Sequence, residues 1–384
     1  MSGKADFEAE GLLDGLDGED REARADLLEQ LFADGATLDE LKQAVAEDRL
    51  ALLPLERVLA GEGKYTPGEV AERSGLDPEF QDRLFRALGL ALAGRDDRVY
   101  GDDDVEAAAT VTRFLDAGFS QDTVLEVCRV LGDSMARLSA TLGGVVRQTL
   151  AKPGDTERDL GLRYAQVTRE LGPQLEPLIL HVLSLHQREN AKREMVSRAD
   201  IAAGSIRGAR EISVCFADLV DFTRLGEDID PAELGHVAGR LTDIALEVIV
   251  PPVRLVKTIG DAVMLVGPAQ PDPLLDSALS LLERSDEEGE QFPQLRVGVA
   301  SGEALGRAGD WYGHPVNLAS RVTAYARPGS VLATNEVHDL AGGDYVWSRA
   351  GVRRFKGIRE PVGLMRVRRP EQPQPESSPA DAQG

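Results

Sequence analysis

Cysteine is scarce in this chain: two in 384 residues, Cys128 and Cys215. Both sit in apolar surroundings. They cannot build a disulfide framework and read as buried free thiols, which fits a reducing cytoplasm. Positive charge is short as well. Lys and Arg number 43 against 66 Asp and Glu, a net charge of −23. Non-specific nucleic-acid binding and docking on anionic lipid both need a basic face, so this balance argues against each. No run of about 18 apolar residues exists, and none is expected to span a membrane. The most apolar stretch, Ile244 to Val253, carries a Glu and a Pro-Pro. The first residues are acidic and Gly-rich, not basic and then apolar, so no secretory signal is expected and the location reads as cytoplasmic. No repeat period is visible. The chain does have apolar residues, 42% of the total, enough for more than one core. Its length suggests two or three domains, and a largely disordered protein is excluded.

The first half is the more acidic. Residues 1–50 hold 15 acids against 5 bases. Residues 1–20 read as a disordered acidic tail, and 21–186 as an all-helical domain of six or more helices. Leu27, Leu28, Leu31 and Phe32 fall at helical spacing, as do Val124, Leu125, Val127, Cys128 and Leu131. Residues 187–207 turn polar and end in Ala202-Ala203-Gly204-Ser205, the pattern of a linker helix and a joint. From 208 the period changes. Strands are expected at Glu211–Ala217, Arg254–Ile259, Ala262–Val266, Leu295–Ala300, Val331–Thr334, Val352–Phe355 and Val362–Val367. Helices are expected at Leu234–Val250, Pro273–Glu283 and Pro315–Ala326. Hairpins among alternating elements favour a mixed or antiparallel sheet, so the whole chain reads as α+β. Residues 369–384, rich in Pro, Gln and Ser, read as a disordered tail.

Three motifs in the second half carry chemistry. In Phe216-Ala217-Asp218-Leu219-Val220-Asp221-Phe222-Thr223 a buried strand runs into an Asp, and a helix start follows. Such an Asp suits a hard cation, and the free N–H groups beyond it suit phosphate oxygens; an ordinary helix cap has the same look. Lys257-Thr258-Ile259-Gly260-Asp261 places a second Asp at a hairpin turn, which by itself is a common turn sequence. In Asp310-Trp311-Tyr312-Gly313-His314-Pro315-Val316-Asn317-Leu318-Ala319-Ser320-Arg321, Asn317 and Arg321 are four apart and share one helix face. An amide beside a guanidinium suits a ribose and a phosphoryl group; a solvated helix face is the plain alternative.

Together with LRVGVASG and FKGIREPV, these strings resemble the class III nucleotidyl cyclases over about residues 208–368, a little over two-fifths of the chain. The resemblance implies a ferredoxin-like βαββαβ core with extensions, active as a homodimer whose two sites each draw on both protomers. It implies two Mg²⁺ or Mn²⁺ ions per site, held by Asp218, Asp261 and the Leu219 carbonyl. Lys257 and Asp310 match the base-selecting pair. A Lys donor for ring N1 and a carboxylate acceptor for the N6 amine favour adenine over guanine. Asn317 matches the ribose-orienting residue, Arg321 the residue that stabilises the transition state, and Arg296 and Lys356 the residues that hold the triphosphate. Phe222 and Thr223 belong to the phosphate-binding segment. Asp221 stands where the family often has Gly, and His314 where it often has Asp. The implied enzyme is an adenylate cyclase that converts ATP to cyclic AMP and pyrophosphate.

The first half allows a second reading. Tyr65 to Asp77 looks like a helix-turn-helix, and the residues after it are similar to MerR-type regulators, which suggests a DNA-binding regulator fused to a nucleotide-sensing pseudo-cyclase. The recognition helix from Pro78 carries no net positive charge, and Asp96, Asp97, Asp102, Asp103 and Asp104 surround it, so it should repel phosphates. The closer resemblance is to the helical regulatory domain of actinobacterial adenylate cyclases. What such a domain senses is not spelled out: pH, through His181 and His186 at the junction, a lipid or other small molecule in a helical pocket, or a protein.

Overall fold

The computed structural model describes residues 6–60, 63–193, 209–289 and 291–370. The chain divides into two compact units, residues 1–192 and 193–384. No described helix is long and apolar enough to cross a membrane.

Among the described residues of the first unit, eight α-helices form: α1 (Gly18–Ala33), α2 (Leu38–Ala46), α3 (Leu53–Ala60), α4 (Pro67–Ser74), α5 (Pro78–Ala87), α6 (Asp102–Asp116), α7 (Gln121–Leu150) and α8 (Glu157–Arg193). Local chemistry sets several boundaries. Thr37 and Glu40 form a capping box at the start of α2, and Thr66 and Glu69 form another at α4. Gly75 ends α4 in the left-handed conformation at φ 71°, and Asp77 caps α5 through the Phe80 N–H at 2.8 Å. The helix-turn-helix read from Tyr65 to Asp77 is therefore real as geometry.

One expectation fails here. Part of the stretch 1–20 is folded, not a solvated tail. Phe7, Leu12 and Leu13 are buried against Leu27, Leu28 and Leu31 of α1. Gly11 and Gly15 turn the chain back at φ 74° and 76°. The apolar residues are spaced as turns require, so neither the helical nor the strand period reveals them beneath the acidic composition. At the other end, α8 runs on to Arg193, into the segment read as linker; 194–207 and 371–384 lie outside the described residues.

The second unit holds β1 (Ala209–Leu219), α9 (Phe222–Asp228), α10 (Pro231–Val248), β2 (Arg254–Ile259), β3 (Ala262–Pro268), α11 (Asp272–Asp286), β4 (Leu295–Arg307), β5 (Asp310–Gly313), α12 (His314–Tyr325), β6 (Ser330–Thr334), α13 (Asn335–Leu340), β7 (Val346–Arg353) and β8 (Val362–Arg368). The sheet order is β2-β3-β1-β4-β6-β8-β7, with β5 hydrogen-bonded to β4. In its first four strands every neighbouring pair is antiparallel, the ferredoxin-like βαββαβ arrangement. β4 and β6 pair in parallel, so the sheet is mixed. The structure departs from the sequence reading in some details: β4 extends well past Ala300, β7 starts at Val346 and ends before Phe355, and β5 and α13 are additional to the expected elements.

Burial follows strand alternation. One face of β1 gives Cys215, Ala217 and Leu219 to a core closed by α10 and α11. The other gives Val214 and Phe216 to a core closed by Leu318, Ala319 and Val322 of α12. Cys215 is fully buried, and burial pushes its thiol up to about 12. Cys128 is only partly buried.

The seat of Leu12 gives a prediction. Leu12→Ala should destabilise the helical unit by about 2–5 kcal/mol, the usual cost of emptying a buried leucine site. A solvated tail would leave the denaturant midpoint of the full chain unmoved.

Candidate active site

The same alternation that builds the two cores selects the residues of the site. Asp218 continues the Val214–Phe216 row of β1, so it lies on the α12 side of the sheet. In the antiparallel ladder it stands directly opposite Arg296 of β4. Arg296 Nε donates to Asp218 Oδ2 at 2.7 Å, and Nη2 reaches the same oxygen. The expected phosphate holder is thus placed on the expected metal ligand, and each neutralises the other's charge.

Asp261 lies in the loop that joins β2 and β3, after Gly260, which takes φ 60° at no steric cost. Its carbonyl accepts the Leu219 N–H at 3.1 Å, which fastens the loop to the end of β1. Burial, and then the negative charge of Asp218, hold the Asp261 carboxyl above its ordinary range. The Asp218 and Asp261 carboxylates, with the Leu219 carbonyl at the same strand end, are an all-oxygen donor set. Such a set fits a hard divalent cation, which would relieve the repulsion. Among the described residues no third His, Cys, Asp or Glu joins them.

Lys257 of β2 and Asp310, the first residue of β5, form an ion pair through Nζ and Oδ2, and the other carboxylate oxygen accepts the Trp311 N–H at 2.8 Å. A β-bulge between Leu255 and Lys257 makes this possible. Without it, Lys257 would sit on the opposite face, because strand residues alternate. Nothing in the composition of β2 signals that bulge.

On α12 the buried residues are Pro315, Leu318, Ala319, Val322 and Thr323, and the exposed ones include Asn317 and Arg321. The helix is held close to the sheet. Thr323 Oγ1 reaches the Phe216 carbonyl at 3.2 Å and the Ala319 carbonyl at 2.8 Å, and a Cβ on Gly298 of β4 would overlap the backbone of Thr323. Asn317 and Arg321 make no side-chain hydrogen bond among the described residues. His314 opens the helix and is exposed.

The remaining expected residues are more loosely placed. Phe222 packs on the α10–α11 core while Thr223 is exposed at the start of α9. Lys356 is exposed in the loop after β7, beside Phe355, which packs edge-on against Tyr325. Asp221 adopts φ 57°, the left-handed region. That conformation is where glycine is cheapest and Asp is among the better tolerated alternatives, which accounts for the departure from Gly. The structure thus joins Asp218 to Arg296, Asp261 to the end of β1, and Lys257 to Asp310. It leaves Asn317, Arg321, Thr223 and Lys356 outside those contacts.

Two family models match the chain in tandem: an adenylate cyclase regulatory domain over residues 5–191, and the adenylate and guanylate cyclase catalytic domain over residues 206–363. The pH-sensitive adenylate cyclase of Mycobacterium tuberculosis is 42% identical over 372 residues, which is 95% of this chain and 92% of that protein. The chain belongs to the class III adenylate cyclase family. An adenylate cyclase of Streptomyces coelicolor is 31% identical over 292 residues, 74% of each chain. Among solved structures, the adenylyl cyclase CyaB from P. aeruginosa aligns with 21% identity and a TM-score of 0.36, covering 43% of this chain and 96% of that one. The residues that suggested a DNA-binding regulator fall inside the match to the cyclase regulatory domain, which does not support that alternative.

The contact between Gly298 and Thr323 is the test of how the cyclase seats α12. Gly298→Ala should cost about 1–3 kcal/mol of stability, the usual penalty of overpacking, and should lower activity with it, because the shift is passed to Asn317 and Arg321. A variant with wild-type melting and wild-type turnover would show that the helix has slack.

Proposed function

We propose that this cyclase converts ATP to 3′,5′-cyclic AMP and pyrophosphate in a homodimer, and that the helical unit regulates the rate with pH as one input. The observation that carries the reading is that the residues the family pattern names meet in two sets: Asp218 with Arg296 beside the Asp261 loop, and Lys257 with Asp310.

Lys257 Nζ donates to adenine N1, and Asp310 accepts from the N6 amine. The two pair with each other when no base is present, so neither charge stands unsatisfied. A base enters by exchanging that ion pair for two hydrogen bonds. Guanine, with a donor at N1 and an acceptor at O6, meets the wrong partner at both positions. Asn317 orients the ribose. The 3′-hydroxyl then attacks the α-phosphorus in line: a P–O3′ bond forms, the bond to the bridging oxygen of pyrophosphate breaks, and the hydroxyl proton leaves to substrate or water. Arg321 meets the charge that develops on the α-phosphoryl oxygens. Asp218, Asp261 and the Leu219 carbonyl would hold two Mg²⁺ or Mn²⁺ ions, which when bound acidify the 3′-hydroxyl and neutralise phosphate charge. Arg296 then turns from Asp218 to the triphosphate, with Lys356 and the N–H groups near Phe222 and Thr223.

Exposure supports the dimer. Asn317 and Arg321 are exposed in a single chain, and Ile259 of β2, Leu305 of β4 and Tyr312 of β5 are hydrophobics 50%, 42% and 55% exposed. A second copy that covers such side chains completes two sites. Each would take Asp218 and Asp261 from one protomer and meet the partner subunit's Lys257, Asp310, Asn317 and Arg321.

Mixing experiments test this arrangement. Asp218→Ala should be inactive, and Arg321→Ala nearly so, with a loss of roughly 3–4 kcal/mol in transition-state stabilisation. In a mixed dimer one site carries both lesions and the other carries neither. Half of randomly paired dimers are mixed, so cyclic AMP formation should return to as much as a quarter of wild type. No recovery, with subunit exchange confirmed by a tag, would place the whole site within one chain.

The regulatory part of the reading rests on the regulatory-domain match and on a pH-sensitive relative. His181 and His186 are exposed on α8. Removal of residues 1–207 should change specific activity several-fold and flatten its dependence on pH. Superimposable pH profiles for the two forms would leave the helical unit without that role.

A further inference from the structure

We propose that Arg254 and Trp311 form a clamp that positions the Lys257–Asp310 pair and thereby sets the preference for ATP over GTP. The inference rests on the reading of Lys257 and Asp310 as the purine-recognising pair.

The sheet itself does not fix the distance between those two residues. β2 is an edge strand paired only with β3, and β5 pairs only with β4; β3 and β1 lie between them in the sheet order. No backbone ladder joins β2 to β5. Two side-chain bridges among the described residues do. One is the Lys257–Asp310 ion pair. The other is Arg254, whose guanidinium carbon lies 5.3 Å from the centroid of the Trp311 ring.

The bulge that turns Lys257 onto the α12 face is also what aligns the two bridges. Arg254 stands opposite Val266 and Lys257 opposite Met264, and both of those belong to the α12-side core. Residues three apart in a regular strand would face opposite sides. With the bulge, Arg254 and Lys257 reach across on the same side.

Trp311 is a firm anchor for such a clamp. It packs against the α12-side core. It stands opposite Gly306 in the β4–β5 ladder, and its ring lies over that glycine, 3.5 Å from where a Cβ would be. Its backbone N–H holds Asp310 Oδ1, which leaves Oδ2 to Lys257. One end of the clamp is therefore built into the residue beside Asp310, and the other sits in the strand that carries Lys257.

The clamp matters most when a base is bound. Adenine separates Lys257 from Asp310, so the ion pair no longer spans the gap. The Arg254–Trp311 contact is then the bridge that keeps donor and acceptor one purine edge apart. Hydrogen-bond strength falls steeply with misplacement, and the cost falls on the base whose pattern fits. Arg254 and Trp311 are positioning residues, since neither is required to touch the base.

The test uses the full chain and three variants: Arg254→Met, which keeps the apolar stem without the cation; Trp311→Ala; and Trp311→Phe. Binding is measured with α,β-methylene ATP and α,β-methylene GTP, which cannot lose pyrophosphate, alongside KM and kcat for ATP. Arg254→Met and Trp311→Ala should each weaken the ATP analogue and raise KM about three- to tenfold, the range of a partly desolvated cation–π contact. The GTP analogue should bind as before, so the preference narrows by the same factor, with kcat within about twofold. Trp311→Phe should restore most of the preference, and the double variant should be little worse than either single one. Arg254 lies on an edge strand, so Arg254→Met carries the test even if Trp311→Ala does not fold. An unchanged preference in Arg254→Met overturns the clamp. So does equal weakening of both analogues with a lowered melting temperature, which marks a merely structural role. If the wild-type chain shows no preference between the analogues, the purine-recognition reading itself fails, and the clamp with it.

Discussion

The catalytic unit depends on one constraint: β1 is a central strand buried on both faces, and its side chains must alternate. Ile212 to Ala217 are all buried, with β3 on one side and β4 on the other. Once that register is set, little freedom remains. Asp218 must emerge on the α12 side, at the level of Arg296. Leu219 must end the strand beside the β2–β3 loop, where its N–H meets Asp261. A slip of one residue would send Asp218 into the α10–α11 core, where burial of an unpaired carboxylate costs several kcal/mol. The hydrophobic run before the motif is thus as much a part of the site as the carboxylate that ends it.

Much of this was legible in the sequence, for a physical reason. The site residues sit where strands end and helices begin, and those transitions have strong local signatures: apolar runs, a Gly-Asp loop, a Pro in the first helical turn. The strings around Asp218, Asp261 and Asn317 therefore gave both the fold class and the candidate residues. The resemblance paired Lys257 with Asp310, but the pairing of Asp218 with Arg296 was not legible. Asp218 and Arg296 are 78 positions apart, and their meeting depends on the ladder register. The bulge before Lys257 has no compositional mark, yet it decides which face the lysine takes. The first residues misled in the other direction: acidity around Phe7, Leu12 and Leu13 hid three buried side chains.

The glycines that matter divide into two kinds. Gly260 and Gly75 are needed for backbone shape, since both adopt positive φ at turns. Gly298 is needed for space, since α12 lies on it. Asp221 shows the limit of the first kind: the left-handed position accepts Asp, and the added carboxylate remains exposed beside the end of β1. A departure from a family pattern at such a place concerns backbone energy before it concerns chemistry.

Cys215 carries a consequence for the environment in which the enzyme works. It is the catalytic unit's one cysteine, fully buried, with its thiol pushed up to about 12. Oxidants and alkylating agents attack the thiolate and need access to it, and this side chain offers neither. Turnover in the second unit should therefore be indifferent to thiol reagents. Any redox sensitivity of the whole chain that acts through a thiol has a single entry point, Cys128 in the helical unit.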